Sequence, residues 1–171
     1  MAQSEKRVLI IDADLRRGYL HKYDNQAGLA DYLNGQQDLD TIVKTTEITG
    51  LSVITRGKSP TNPSELLSSA KFVALLEQLS PLYDHVIIDT PPILAVTDGI
   101  IISQYTGVNL VIARYAKTQI KELELTINRF EQVGVKVNGI ILNDIVRSAG
   151  GYGYGYGYNY SYGYKASTEQ D

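Results

Sequence analysis

The stretch RVLIIDADLRRG, residues 7–18, opens with a short apolar run and ends in acids and arginines. Its apolar residues are consecutive and do not alternate with polar ones, which is typical of a strand buried on both faces of a parallel sheet. Four further runs share this character: LSVIT (51–55), HVIID (85–89), NLVIA (109–113) and GIILN (139–143). We therefore predict five strands of a mostly parallel sheet.

Helical patterns separate these runs. PSELLSSAKFVALLEQL (63–79) carries a broad apolar face, and Ser64 with Pro63 before it is a helix-start signal. In TQIKELELTINRFEQVG (118–134) the apolar residues follow helical spacing, and Gly134 ends the pattern. Alternating strands and helices predict an α/β fold, a doubly wound sheet flanked by helices.

The composition excludes several classes of function. The chain has 171 residues, a net charge of −3, no cysteine and only two histidines, which stand far apart. Disulfides and thiolate metal sites are excluded, a histidine metal cluster is not expected, and the electrostatic case for nucleic acid is weak. No apolar run is long enough to span a bilayer. We expect one cytosolic domain with a tail, or a cytosolic piece of a larger protein.

The composition changes abruptly at Ser148. Residues 148–171 contain no Ile, Leu, Val or Phe, and the segment GGYGYGYGYNYSYGYK (150–165) alternates tyrosine with Gly, Asn and Ser. Without aliphatic side chains to offset the cost of ordering the backbone, we predict a disordered tail. This gives a domain over 1–147 and a tail over 148–171. A segment that associates through aromatic stacking is another interpretation, although the tail offers few cations.

Acids follow two of the predicted strands. Asp12 and Asp14 end the first apolar run, and Asp89 ends HVIID. Ligands of doubly wound sheets bind outside the carboxyl ends of the strands, where one or two carboxylates hold Mg²⁺. If strand geometry persists, Asp12 and Asp14 share a face, and Arg16 would neutralise charge on a phosphate. The simpler interpretation is that such acids only cap turns, and Arg17 fits a solvated charge.

At these residues the sequence resembles the Wzc-type bacterial tyrosine kinases, which are polysaccharide co-polymerases and relatives of the MinD/ParA ATPases. VLIIDADLRRG resembles their Walker A′ motif and HVIIDTPPILAVTDG their Walker B motif. RGKSPTNPSELL, VIARYAKTQIKELE and the tyrosine-rich C-terminus also match the family pattern. The resemblance implies the fold of the P-loop NTPases.

The resemblance also implies autophosphorylation of the tail with ATP and Mg²⁺. In that scheme Asp12 activates the attacking hydroxyl, Asp14 lies near the metal, and Asp89 is the Walker B acid at the metal and nucleotide. Asn143, at the end of GIILN, matches an adenine-contacting position, although an Asn that turns the chain fits as well. The implied acceptors are Tyr152, Tyr154, Tyr156, Tyr158, Tyr160, Tyr162 and Tyr164.

The partners that the resemblance implies are a homo-oligomeric ring with phosphorylation in trans, a low-molecular-weight tyrosine phosphatase, and the machinery of polysaccharide polymerisation and export. The chain would then be the cytoplasmic portion of an inner-membrane protein. A different class of function stays open: a nucleotide-switched assembly module, like the ParA and MinD relatives, with no kinase activity.

One family motif is not found. A phosphate-binding loop needs glycines, Lys and Ser/Thr at a fixed spacing, and RGKSP (56–60) lacks the upstream glycine and is followed by prolines. We expect it to be an ordinary loop. In the family the missing loop precedes the A′ strand through one helix, and MAQSEKR resembles the end of that helix. We therefore expect exposed strand edges, an exposed apolar face, and weak nucleotide binding by this chain alone.

Overall fold

A computed structural model describes residues 5–17 and 26–145. The strands are β1 (Val8–Asp12), β2 (Lys44–Thr45), β3 (Leu51–Ile54), β4 (His85–Asp89), β5 (Leu110–Arg114) and β6 (Gly139–Asn143). The α-helices are α1 (Leu29–Leu33), α2 (Leu39–Ile42), α3 (Pro63–Leu67), α4 (Ala70–Leu79), α5 (Asp98–Ser103) and α6 (Ile120–Gln132). Within those two described stretches, no helix is long and apolar enough to cross a membrane. The predicted tail and its tyrosines lie outside them.

All five predicted strands form, each within a residue or two of its predicted bounds. The additional strand, β2, is only two residues long and pairs antiparallel with β3, Lys44 opposite Val53 and Thr45 opposite Ser52. A two-residue strand has no hydrophobic period of its own. This is why the sequence pattern did not reveal it.

The helix predicted over 63–79 is wrong as a single element, because it is broken into α3 and α4. The Ser69 hydroxyl donates to the Leu66 carbonyl at 2.6 Å and accepts from the backbone N–H of Phe72 at 3.3 Å. Ser69 therefore caps the N-terminus of a new helix. The last predicted helix is confirmed as α6, and Gly134 adopts φ of 74° directly after it.

The strands form two sheets. The first has the order β2-β3-β1-β4, with β1 parallel to both β3 and β4, and the second is the parallel pair β5-β6. The guanidinium of Arg129 on α6 donates to the Ile93 carbonyl in the loop after β4. The β5-β6 pair therefore lies on the β4 side of the first sheet, yet no ladder joins β4 to β5 in the described part of the chain.

The core lies on one face of the first sheet. Leu9 and Ile11 of β1 pack with Ile54 of β3 and with the helices in a single buried cluster. The opposite face is partly bare at Ile87 of β4, which is 43% exposed. The second sheet is also exposed, with Leu110, Ile112 and Ile141 at 55%, 64% and 46%. Burial on both faces is thus correct for β1 and wrong for β4, β5 and β6.

Candidate functional site

The carboxyl ends of β1 and β4 bring two predicted site residues together. Asp12 and Asp89 are each the last residue of their strand, and they are register partners in the parallel ladder. The ladder continues one step further, because the backbone N–H of Ala13 donates to the Asp89 carbonyl at 2.8 Å. The two carboxylates therefore stand side by side at one edge of the sheet, as the sequence pattern predicted.

Asp14 reaches the same edge through a turn and not through an extended strand. Its backbone N–H donates to the Asp12 carboxylate at 3.2 Å, and β1 has already ended at Asp12. Its own carboxylate accepts from the backbone N–H groups of Arg16 at 3.1 Å and Arg17 at 3.0 Å. The condition under which Asp12 and Asp14 would share a strand face is therefore not met, because the strand does not continue to Asp14. Both acids are buried, whereas Arg17 is exposed.

The three acids interact electrostatically. Partial burial raises the pKa of Asp89, and the negative charges of Asp12 and Asp14 raise it further. A cation bound here would relieve this repulsion. In the described residues no cluster of three or more His, Cys, Asp or Glu side chains could hold a metal ion by itself. Mg²⁺ commonly uses one or two carboxylates together with waters and substrate phosphates, and the acids present fit that mode.

Arg16 is held by two residues that sequence reasoning missed. Its Nε donates to Asp98 Oδ2 at 2.9 Å, and its Nη2 donates to Asp98 Oδ1 at 3.3 Å and to Ser64 Oγ at 3.1 Å. The hydrogen bond to Asp98 raises the pKa of Arg16. Asp98 lies within HVIIDTPPILAVTDG and begins α5, a position that also suits an ordinary helix-start acid.

The GKS triplet lies in a loop between β3 and α3, as predicted. The Asp31 carboxylate accepts from the backbone N–H groups of Gly28 at 2.9 Å and Lys58 at 3.2 Å. Gly57 has φ of 78°, and a Cβ there would come within 2.3 Å of Asp31 Oδ2. The loop is thus fastened to the start of α1, with the Lys58 N–H turned to Asp31, and it does not form a phosphate cradle.

Asn143 ends β6, at the carboxyl edge of the second sheet. Its side-chain oxygen accepts from the backbone N–H of Asp144 at 2.8 Å, and its carbonyl accepts from Tyr115 at 2.8 Å. Asp144 pairs with Arg114 at 2.7 Å and Lys117 at 3.3 Å, which lowers the pKa of its carboxyl group. Asn143 is exposed beside this cluster, and its contact with adenine stays a prediction.

Comparisons with known proteins agree with this fold. A family model described as an AAA domain matches residues 1–138. The tyrosine-protein kinase ptk of Acinetobacter johnsonii is 78% identical over 174 residues, which cover 100% of this chain and 24% of that protein. The chain thus spans about a quarter of the length of this relative.

Solved structures show the same likeness. The kinase domain of the Escherichia coli tyrosine kinase ETK superposes with a TM-score of 0.83 at 45% identity, over 91% of this chain and 62% of that domain. The VpsO kinase domain gives 0.79 at 36% identity, over 85% of this chain and 73% of that domain. The septum site-determining protein MinD from Pyrococcus horikoshii, complexed with Mg-ADP, gives 0.66 at 20% identity over 82% of this chain and 59% of its own, which shows the fold alone.

Proposed function

This chain belongs to the AAA domain family and has the Wzc, Etk and Ptk tyrosine kinases as its relatives, and from that premise we propose that it is the acid-bearing and acceptor part of a bacterial tyrosine autokinase. The reaction is transfer of the ATP γ-phosphoryl group to tyrosines of residues 148–171. The observation that carries the proposal is the pairing of Asp12 with Asp89 at the last position of the β1–β4 ladder.

Each acid has a part in this reaction. The tyrosine oxygen forms a bond to the γ-phosphorus while the bond from that phosphorus to the β–γ bridging oxygen breaks, so that ADP leaves. Asp12 accepts the phenol proton as that bond forms. Asp14 and Asp89 would hold Mg²⁺, which supplies positive charge to the phosphate oxygens when bound. Asn143 would contact the adenine ring.

The tail composition supports its role as the acceptor. A glycine-rich coil of about 20 residues spans roughly 25 Å on average, enough to reach a neighbouring subunit in a ring. Each phosphate adds about −1.5 to −2 charges. Modification of several tyrosines would therefore repel the tail from the acidic site, and we propose that this loosens the oligomer. Ring assembly that persists unchanged after full phosphorylation would contradict this.

The unpaired edges of the two sheets suggest that one further strand would complete the site. Among the described residues, β4 and β5 each have one edge without a hydrogen-bonded strand, and Ile87 of β4 and Ile112 of β5 are exposed. One additional parallel strand between β4 and β5 would pair both edges and join the two sheets. Its carboxyl end would lie beside Asp12 and Asp89, at the place where a phosphate-binding loop would meet the Mg²⁺ site.

The handedness of parallel connections places a helix as well. The connection from β3 to β4 carries α3 and α4, and their side chains pack on the face of Leu9 and Ile11. A connection from the inserted strand back to β1 runs in the opposite direction across the sheet. Because such crossovers are right-handed, its helix would lie on the opposite face, which is the bare face of Ile87 and Ile112. A single strand–helix unit would thus cover both the open edges and the bare face.

Nucleotide binding tests this proposal. We define the completed chimera as residues 1–171 preceded by the part of the Etk kinase domain that this chain does not cover, since the chain covers 62% of that domain. Calorimetric titration with Mg·ATP is expected to give weak binding to residues 1–171 and at least tenfold tighter binding to the chimera. Micromolar affinity for the short chain, or no gain in the chimera, would contradict the proposal.

The biological setting is also a proposal. We propose that the chain acts on the cytoplasmic side of the inner membrane, as part of a kinase that controls polymerisation and export of a capsular or extracellular polysaccharide. A low-molecular-weight tyrosine phosphatase would reverse the modification. Co-purification of the phosphorylated full-length protein with membranes, and its dephosphorylation by such an enzyme, would support this. The high identity to the kinase ptk favours this setting.

A further inference from the structure

We propose that Asp98 and Ser64 are positioning residues that fix the guanidinium of Arg16 at the acid site, so that it donates to the phosphoryl group in transfer. This inference rests on the proposed function for its reaction, and it adds two residues, Ser64 of RGKSPTNPSELL and Asp98 of HVIIDTPPILAVTDG, to which the motifs assign no role. It assigns Arg16 a held geometry, where the sequence suggested a free positive charge.

The contacts fix the guanidinium plane. Two of its nitrogens face the two oxygens of one carboxylate, at 2.9 Å and 3.3 Å. The Ser64 hydroxyl completes a closed triangle, because it accepts from Arg16 Nη2 at 3.1 Å and donates to Asp98 Oδ1 at 2.6 Å. A two-point pairing sets the direction of the remaining N–H groups, which a single contact would not do.

The burial of the two partners differs. The Asp98 side chain is 0% exposed, whereas the Arg16 side chain is 41% exposed. A fully buried carboxylate needs its cation and its hydrogen bonds, so Asp98 is committed to this cluster. The guanidinium covers that carboxylate with one edge and keeps its other edge toward solvent. The accessible edge is the one that a phosphate could meet.

The cluster also has a defined place in the fold. Arg16 lies two residues after Asp14, whose carboxylate accepts from the Arg16 backbone N–H. Ser64 is in α3, which follows β3, and Asp98 begins α5, which follows β4. Both helices begin on the side where the parallel strands end. The three segments therefore meet at the carboxyl edge, next to Asp12 and Asp89.

Charge explains what Arg16 contributes. Asp98 neutralises its charge, so the pair adds little net positive potential to the site. The value of Arg16 then lies in N–H groups aimed at the transferring phosphoryl oxygens, and misplacement by about 1 Å costs on the order of a hundredfold in rate. Lysine, with one rotatable ammonium group, could not keep this two-point geometry.

A double-mutant cycle in the completed chimera tests the proposal. Phosphotyrosine formation and phosphate release are both measured against ATP concentration for Asp98→Asn, Ser64→Ala, Arg16→Gln and the pairs with Arg16→Gln. We expect Asp98→Asn to lower kcat on the order of tenfold to a hundredfold, and Ser64→Ala to lower it less, with KM for ATP changed less than threefold. In the Arg16→Gln background, neither should lower kcat further.

The controls separate positioning from folding. Asp84→Asn removes another carboxylate that accepts from an arginine, and Ser80→Ala removes another serine hydroxyl bonded within the helical layer, both away from the acid site. Each should leave kcat unchanged. Ser64→Ala is the mild variant for the case in which Asp98→Asn does not fold, as judged by circular dichroism and thermal melting.

The outcomes are distinguishable from failure of the proposed function. If the chimera releases phosphate without forming phosphotyrosine, the kinase proposal fails. Asp98 and Ser64 are still supported as positioning residues when their variants slow phosphate release in the presence of Arg16 and do not slow it further in the Arg16→Gln background. If phosphotyrosine forms and Asp98→Asn and Ser64→Ala leave kcat unchanged, the positioning role is overturned while the kinase stands. Equal additional losses in the Arg16→Gln background would also overturn it, since they would show a general structural effect.

Discussion

Asp12 and Asp89 occupy the same position of the β1–β4 ladder, and the N–H of Ala13 donates to the Asp89 carbonyl just beyond them. The pairing of two strands that are far apart in sequence thus puts two carboxylates next to each other. Like charges on neighbouring carboxylates oppose each other until a cation or a proton intervenes. The site is therefore built at a cost in stability that the bound substrate would offset.

This repulsion predicts the effect of pH on stability. The pKa of Asp89 is raised in the folded chain, so the folded state holds a proton at pH values where the unfolded state has lost it. The free energy of unfolding therefore falls as pH rises from the ordinary aspartate pKa of about 3.9 through the raised pKa. We expect Asp89→Asn to raise the melting temperature at pH 7, with the gain shrinking below about pH 4.

Asp84→Asn is the matched control with the opposite sign. The N–H of Arg7 lowers the pKa of Asp84, so the ionised group stabilises the folded chain above the ordinary pKa, and this stabilisation is lost as pH falls through the lowered pKa. We expect Asp84→Asn to lower the melting temperature at pH 7. Thermal melts of both variants between pH 3 and pH 8 check the pair, and equal signs for the two would contradict the electrostatic account.

The conformation of the loop of residues 56–59 is predicted to require glycine at position 57. Alanine there would meet Asp31 Oδ2 at 2.3 Å in addition to the strain of a positive φ. We expect Gly57→Ala to lower the free energy of unfolding by about 2–4 kcal/mol. Gly134 has φ of 74° with nothing within 4 Å of its added Cβ, so Gly134→Ala should cost only about 1 kcal/mol. Urea denaturation measures both, and equal losses would show that the contact with Asp31 is unimportant.

The exposed sheet face predicts that one substitution has different effects in residues 1–171 and in the completed chimera. Ile112 is 64% exposed, so Ile112→Thr in residues 1–171 should reduce self-association with little loss of stability. In the completed chimera the same side chain would be covered, and the substitution should destabilise by about 1–3 kcal/mol. Analytical ultracentrifugation and urea denaturation measure the two effects. A destabilisation of equal size in both proteins would contradict the inserted strand–helix unit.

The prediction for the tail concerns how many tyrosines are phosphorylated and not which of them are. Replacing all seven tyrosines from Tyr152 to Tyr164 with phenylalanine is expected to abolish phosphotyrosine in the tail while Mg·ATP binding by the completed chimera stays within about twofold, because the acids and the nucleotide site are untouched. Mass spectrometry and calorimetry measure the two quantities. Restoring one tyrosine should restore one phosphate, and loss of nucleotide binding in the phenylalanine variant would contradict a purely acceptor role.

Local patterns predicted most of the fold. The buried runs gave all the long strands, because a strand such as Val8–Asp12 carries its own signal of consecutive apolar residues. The break between α3 and α4 was not predicted, because Ser69 sits inside an apolar period that continues across it. Only the hydrogen bonds of its hydroxyl show that a new helix begins there.

The site was predictable to the extent that its residues end strands. Asp12 and Asp89 follow apolar runs directly, and the topology of parallel sheets brings such ends together. Asp98 could not be found in this way, because its contact with Arg16 joins residues 82 positions apart and depends on how α5 packs. The turn at Asp14 was not predicted either, because it depends on hydrogen bonds between side chains and the backbone. Such bonds compete with strand geometry.

The central claim is that Asp12 acts in phosphoryl transfer to the tail, and phosphotyrosine mapping by mass spectrometry tests it most directly. The completed chimera is incubated with Mg·ATP, beside its Asp12→Asn and Asp84→Asn variants. We expect phosphate on tail tyrosines in the parent and in Asp84→Asn, and a loss of at least a hundredfold in initial rate in Asp12→Asn. Undiminished tail phosphorylation in Asp12→Asn, or a parent that binds Mg·ATP and forms no phosphotyrosine, would contradict the account.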